Sequence, residues 1–92
     1  MASKKNYWYV IVMTNNGAVF VTSTNNFERV AYWDKDKAPK EMNKSDAQYL
    51  ATALTINGHL SYAVCQTWQI DNQPYLYQTG EFKWINKEVE NG

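Results

Sequence analysis

The sequence predicts a single α+β domain in which an antiparallel sheet of about five strands carries one main helix on a face, in the order β-β-α-β-β-β. Three observations carry this reading. An aromatic and β-branched run from Tyr7 to Thr14 breaks at Asn15-Asn16-Gly17 and resumes at Ala18. A capped amphipathic stretch runs from Asn43 to Gly58, and alternation of apolar and polar residues returns from Leu60 onward.

The first run, Tyr-Trp-Tyr-Val-Ile-Val-Met-Thr, has the composition that suits a pleated strand. Asn-Gly is the strongest short hairpin signal, because both turn residues must take positive φ. With Asn16-Gly17 as the two-residue loop, Met13 pairs with Phe20, Val12 with Val21, and Ile11 with Thr22. One face then carries Tyr7, Tyr9, Ile11, Met13 and Phe20, and the other carries Trp8, Val10, Val12, Val19 and Val21. Both faces are apolar, whereas a hairpin in a small antiparallel domain usually has one dry face and one wet. The second face is therefore either covered within the fold or turned toward a partner.

Asn25 to Trp33 stays open between helix and strand: Phe27, Val30 and Ala31 lie near helical spacing, while Val30-Ala31-Tyr32-Trp33 equally suits a short strand. The charged stretch Asp34 to Lys40, which holds Pro39, reads as exposed loop. The helix has the clearest signals. Asn43 can cap it, Met42 and Ala47 are placed as a hydrophobic staple, Asp46 puts a carboxylate in the first turn, and Ser45 with Gln48 offers a competing capping box. Ala47, Leu50, Ala51 and Leu54 form a narrow stripe, and Asn57-Gly58 ends the helix. Beyond it, Leu60 to Ile70 alternates as a strand; Asp71-Asn72 and Thr79-Gly80 are turns leading into Pro74 to Tyr77 and Phe82 to Ile85. Pro74 places its strand at an edge or at its own start. Residues 1–5 and 87–92 read as tails around one domain spanning 1–92.

A chain of 92 residues builds one modest core, burying roughly 60 to 65% of the surface its unfolded form exposes. Hydrophobic residues at 45% and charged residues at 20% place it among globular chains, despite a mean hydropathy of -0.60. Nine basic residues offset nine acidic ones, so no long-range field steers the protein to nucleic acid or anionic membrane. No apolar run is long enough to cross a bilayer, and Tyr7 to Met13 is too short and aromatic for a secretory core behind Lys4 and Lys5. With a single cysteine, Cys65, the expected location is cytoplasmic.

Few residues have the company that chemistry needs. His59 is the only histidine and falls just past the helix end, where it can meet the last carbonyls. Cys65 lies in an expected strand and reads as a buried, inert thiol. One Cys and one His build no zinc site, and Asp34, Asp36 and Glu41 lack the progression of a calcium loop and alternate with lysines. There is no P-loop, no GxGxxG and no GxSxG. The expectation is a non-enzymatic protein with no cofactor and no metal.

Tyr, Trp and Phe make up 15% of the chain. Such rings fill cores, anchor protein interfaces, or stack on single-stranded bases. Base stacking normally accompanies a basic groove, and only Lys4 and Lys5 beside Tyr7, Trp8 and Tyr9 approach one. Protein binding is thus the leading expectation, through Tyr7, Tyr9, Ile11 and Phe20 on one hairpin face, with Trp33 and the charged loop at Asp34 and Asp36 beside it. A single-stranded nucleic-acid-binding module using the N-terminal strand is the alternative.

The Tyr/Trp-rich first strand with its Asn-Gly turn, the loop ending Lys37-Ala38-Pro39, and Ser45-Asp46-Ala47-Gln48-Tyr49-Leu50 through Leu54-Thr55-Ile56-Asn57-Gly58 together resemble small proteins encoded by phages and prophages of low-GC Gram-positive bacteria. The abundance of Asn, Lys and Tyr fits the AT-rich codons of such genomes. The resemblance covers about the first two-thirds of the chain. It implies an accessory protein that binds a host protein as inhibitor or adaptor, anti-defence proteins included, and it transfers no catalytic residue; the apolar face or an open strand edge equally allows self-association as a homodimer.

Overall fold

A computed structural model describes residues 7–15, 17–34, 36–66 and 80–84. The expected tails at 1–5 and 87–92, the continuation of the Leu60 strand past 66, and the Pro74 to Tyr77 strand lie outside the described residues. The described elements are β1 (Tyr7–Thr14), β2 (Gly17–Phe20), β3 (Ser23–Asn25), β4 (Val30–Trp33), α1 (Lys44–Ile56), β5 (Ser61–Gln66) and β6 (Gly80–Lys83).

The α+β class holds, but the single sheet of about five strands does not. The described residues form two antiparallel sheets of three strands each, ordered β2-β1-β5 and β3-β4-β6. The division arises within one extended run. The Val21 N–H still donates to the Val10 carbonyl of β1, whereas the next N–H, that of Thr22, donates to the Tyr32 carbonyl of β4, both at 2.9 Å. A strand that changes partner this way makes a corner between sheets. Its departure vacates the edge of β1 near Trp8, and the chain refills it. The Met42 N–H donates to the Trp8 carbonyl, and the Lys40 N–H donates to the Val21 carbonyl. The Val21 and Thr22 N–H groups and the Trp8 and Val21 carbonyls at the split are thus all paired, as buried backbone groups require.

The first hairpin has a different register from the one expected. Ile11 pairs with Phe20, Val12 with Val19, Met13 with Ala18, and Thr14 with Gly17. Asn15 and Asn16 separate the last pair, and Gly17 is the first residue of the return strand rather than part of the loop. Asn tolerates turn conformations well enough to take this place. The Thr14 hydroxyl donates back to the Gly17 carbonyl. Partners slide by two residues along β2, so side-chain parity, and with it the membership of each face, is unchanged.

Residues 25–33 form a hairpin with neither helix nor single strand: β3 and β4 pair Ser23 with Tyr32, Thr24 with Ala31 and Asn25 with Val30. The Asn25 side-chain carbonyl accepts the Glu28 N–H at 3.2 Å and shapes the turn, which ends with Arg29 in the left-handed region at φ 58°. β6 pairs on the other side of β4.

The helix forms as expected. Asn43 Oδ1 accepts the Asp46 N–H at 2.9 Å, so Asn43 rather than Ser45 is the N-cap. At the other end, the His59 N–H reaches the Leu54 carbonyl and the Gly58 N–H reaches that of Thr55, with Gly58 at φ 97°, a Schellman closure. Replacing Asn43 with Ala should cost about 1 kcal/mol, and Asn43→Ser should restore most of it. Urea unfolding midpoints of the two variants check this; equal midpoints would show that the cap contributes nothing.

The stripe Ala47, Leu50, Ala51 and Leu54 is buried, and it packs with Val10, Val12, Val19 and Val21. Ala31, Trp33, Phe82 and Trp84 from the second sheet complete the same core. The helix thus packs on the first sheet, where its small residues allow close approach, and residues of the second sheet join the same core. Thr55 clamps the helix end to β5: its hydroxyl donates to the Ser61 carbonyl at 3.2 Å and accepts the Ser61 N–H at 3.0 Å.

Candidate binding surface

The face of β2-β1-β5 turned away from α1 holds the residues that the sequence singles out. Tyr9 and Phe20 form a second, smaller cluster there with their rings edge to face at 5.8 Å, and Tyr7, Ile11 and Val64 pack around them. The pairing of β1 with β5 extends the face: Ile11 lies opposite Tyr62, and Tyr9 opposite Val64. One step further, the Met13 N–H donates to the Leu60 carbonyl at 2.9 Å, which puts Met13 opposite Leu60.

Burial grades along this face. Tyr9 is 1% exposed and Phe20 6%, while Met13, Leu60 and Tyr62 are 44, 48 and 52% exposed. Side chains opposite one another or one pleat apart lie within reach of each other. Met13, Leu60, Ile11 and Tyr62 therefore make one contiguous apolar patch at the end of the sheet beside the C-terminus of α1.

Of the expected contact residues, three need correction. Tyr9 and Phe20 share the outer face but are buried, so their rings flank the patch as part of a packed cluster and are not themselves open to a partner. Trp33 is on neither face of this sheet. It belongs to β4 and sits 5% exposed in the core under α1. Tyr7 and Ile11 are half-buried on the outer face. Asp34 and Asp36 form a turn of their own: Asp34 Oδ1 accepts the Asp36 N–H at 3.0 Å, the Asp34 carbonyl accepts the Lys37 N–H at 3.1 Å, and Lys37 Nζ stands 4.0 Å from the carboxylate. An exposed pair of that length contributes little to stability. The sequence reading passed over Leu60 and Tyr62 as contact residues. Their signal was present, since both share the parity of Val64 in an alternating strand that opposes β1.

Two other residues bear on chemistry. The His59 ring packs between Trp33, at 5.7 Å between ring centres, and Phe82, at 5.5 Å, so it ties the helix end to the second sheet. Cys65 is exposed, contrary to the buried thiol expected; it lies near the end of β5, opposite Trp8. Among the described residues no three His, Cys, Asp or Glu side chains converge, and no helix is long and apolar enough to cross a membrane.

Fold and surface define a small two-sheet α+β domain with a shared helix and an apolar patch on the outer face of one sheet. No family model, curated protein or solved structure matches the chain.

Proposed function

We propose that this is a non-enzymatic accessory protein that acts by binding another protein chain through the outer face of β2-β1-β5. The observation that carries the reading is the run of Met13, Leu60 and Tyr62, each close to half exposed, around Ile11 on one side of a sheet whose other side is filled by the helix. Grouped apolar exposure of that kind marks interfaces, whereas single exposed apolar residues are ordinary. Tyr and Met are among the residue types enriched at interfaces. Zero formal net charge favours a protein partner over nucleic acid. The resemblance to phage and prophage proteins frames the partner as a host protein, and the apolar patch itself equally suits a second copy of the chain.

The second copy is tested first, by light scattering across a concentration series. The expected mass rises above 10.7 kDa for the wild type. It should stay at the monomer value for the double variant Leu60→Ser, Tyr62→Ser, with an unchanged circular dichroism spectrum. If wild type and variant rise alike, the patch is not the contact. A wild type fixed at the monomer mass removes self-association and leaves a different protein as the partner.

A further inference from the structure

A cleft of about 230 Å³ lies between the β3–β4 turn, the 40–42 segment and the N-terminal half of α1, on a different part of the molecule from the apolar patch. Its walls combine two kinds of chemistry. Arg29 and Lys40 are half-buried cations, and neither has a carboxylate within 4.0 Å among the described residues. Met42 and Leu50 supply apolar surface, and Asp46, in the first helical turn, adds one exposed carboxylate. Two cations less one anion leave the lining side chains at +1.

Trp84 closes the cleft from the second sheet. It is 4% exposed, and its indole N–H is buried with no hydrogen-bond acceptor among the described residues. Buried donors are nearly always paired, so an orphan beside a cleft is an unmet demand for an acceptor. The backbones of Trp84 and Arg29 are joined, because the Trp84 main-chain N–H donates to the Arg29 carbonyl at 2.6 Å, and both residues line the cleft. Arg29 in turn is fixed by the left-handed end of the Asn25–Glu28 turn.

We propose that this cleft binds a small organic anion, a carboxylate carried on an apolar body. The carboxylate accepts from the guanidinium of Arg29 and the ammonium of Lys40, and hydrogen bonds between ionised partners are stronger than neutral ones. The apolar body lies against Met42 and Leu50. Trp84, whose indole N–H has no acceptor among the described residues, forms part of the cleft wall and is the reporter of binding. Asp46 opposes the anion and sets the affinity from the other side.

Benzoate, which is small enough for the cleft, is the probe, and inorganic phosphate is the comparison. Both are titrated into the full chain while the indole N–H resonance of Trp84 is followed by heteronuclear NMR. Benzoate should move that resonance saturably at millimolar concentration. Arg29→Asn keeps a residue that tolerates the left-handed backbone; it and Lys40→Gln should each weaken binding about tenfold, as expected for losing a hydrogen bond to a charged group. Asp46→Asn should strengthen binding several-fold. This last variant separates the proposal from mere instability, because a damaged fold does not bind more tightly. Saturable shifts with phosphate but not benzoate would overturn the apolar part and define a plain oxyanion site. No saturable shift with either, or shifts equal in all three variants, overturns the site altogether.

Discussion

Leu54→Ala is expected to destabilise the domain by roughly 3 kcal/mol, the middle of the range for a fully buried leucine truncated in a packed core. Leu54 is 0% exposed and lies in the cluster that joins the helix to both sheets. The cavity therefore opens between α1 and the sheet formed by β1 and β5, elements whose positions are fixed by the rest of the core. For a domain of this size such a loss lowers the thermal midpoint by about 12 to 24 °C. Ile56→Ala, two residues on and 72% exposed, should stay within about 0.5 kcal/mol of wild type. Thermal unfolding followed by circular dichroism compares the two. Similar losses in both, or a loss below about 1 kcal/mol for Leu54, would mean that α1 is not seated as described.

The helix was legible because its signals are local. A cap at Asn43, a stripe at 47, 50, 51 and 54, and a glycine at 58 each act within a turn or two of themselves, and all are realised. The two faces of β1 were legible for a similar reason, since the pleat separates odd from even residues whatever the partner strand does. That parity survived a shift of the hairpin register. The split into two sheets was not legible. Val21 and Thr22 carry no Gly, Pro or charge to mark where a strand leaves β1 for β4, and the change depends on Lys40 and Met42, far along the chain, filling the vacated edge. The same distance effect settled residues 30–33, whose composition suits helix and strand alike until β3 and β6 pair on either side.

Burial of the expected contact residues follows from the same cause. Tyr9, Phe20 and Trp33 were chosen as large apolar side chains on an apolar face, and the sequence does not distinguish a ring that roofs a core from one that meets a partner. Exposure depends on the neighbouring layer. The outer face stays open where Met13 meets Leu60 and Ile11 meets Tyr62, and it closes over Tyr9 and Phe20. The anion cleft was out of reach for a stricter reason. Arg29, Lys40 and Trp84 come from three separated segments, and the outer two meet because the β4–β6 ladder, which pairs Val30 with Lys83, runs on into the bond between the Trp84 N–H and the Arg29 carbonyl.

Gly80→Ala is the other substitution with a large expected effect, and here two opposing terms must be weighed. Gly80 pairs with Trp33 across β4 and β6, and its backbone is not in the left-handed region, so alanine could adopt it. Relief of the entropic penalty of a strand glycine would then stabilise by about 0.5 to 1 kcal/mol. Space decides otherwise. A Cβ at position 80 would fall on Nε1 and Cε2 of the Trp33 indole and 2.6 Å from its Cζ2. The ring is 5% exposed and packs on His59, so it cannot swing aside freely. Overpacking of this kind costs typically 1 to 3 kcal/mol, which outweighs the entropic gain, and the net expectation is a loss of about 1 to 2 kcal/mol. The cause can be isolated with Trp33→Leu, which removes the indole. In that background Gly80→Ala should cost little or become mildly stabilising, giving a coupling of about 1 to 3 kcal/mol in a double-mutant cycle of unfolding free energies. Additive effects, within about 0.5 kcal/mol, would show that Gly80 is needed for something other than making room for Trp33.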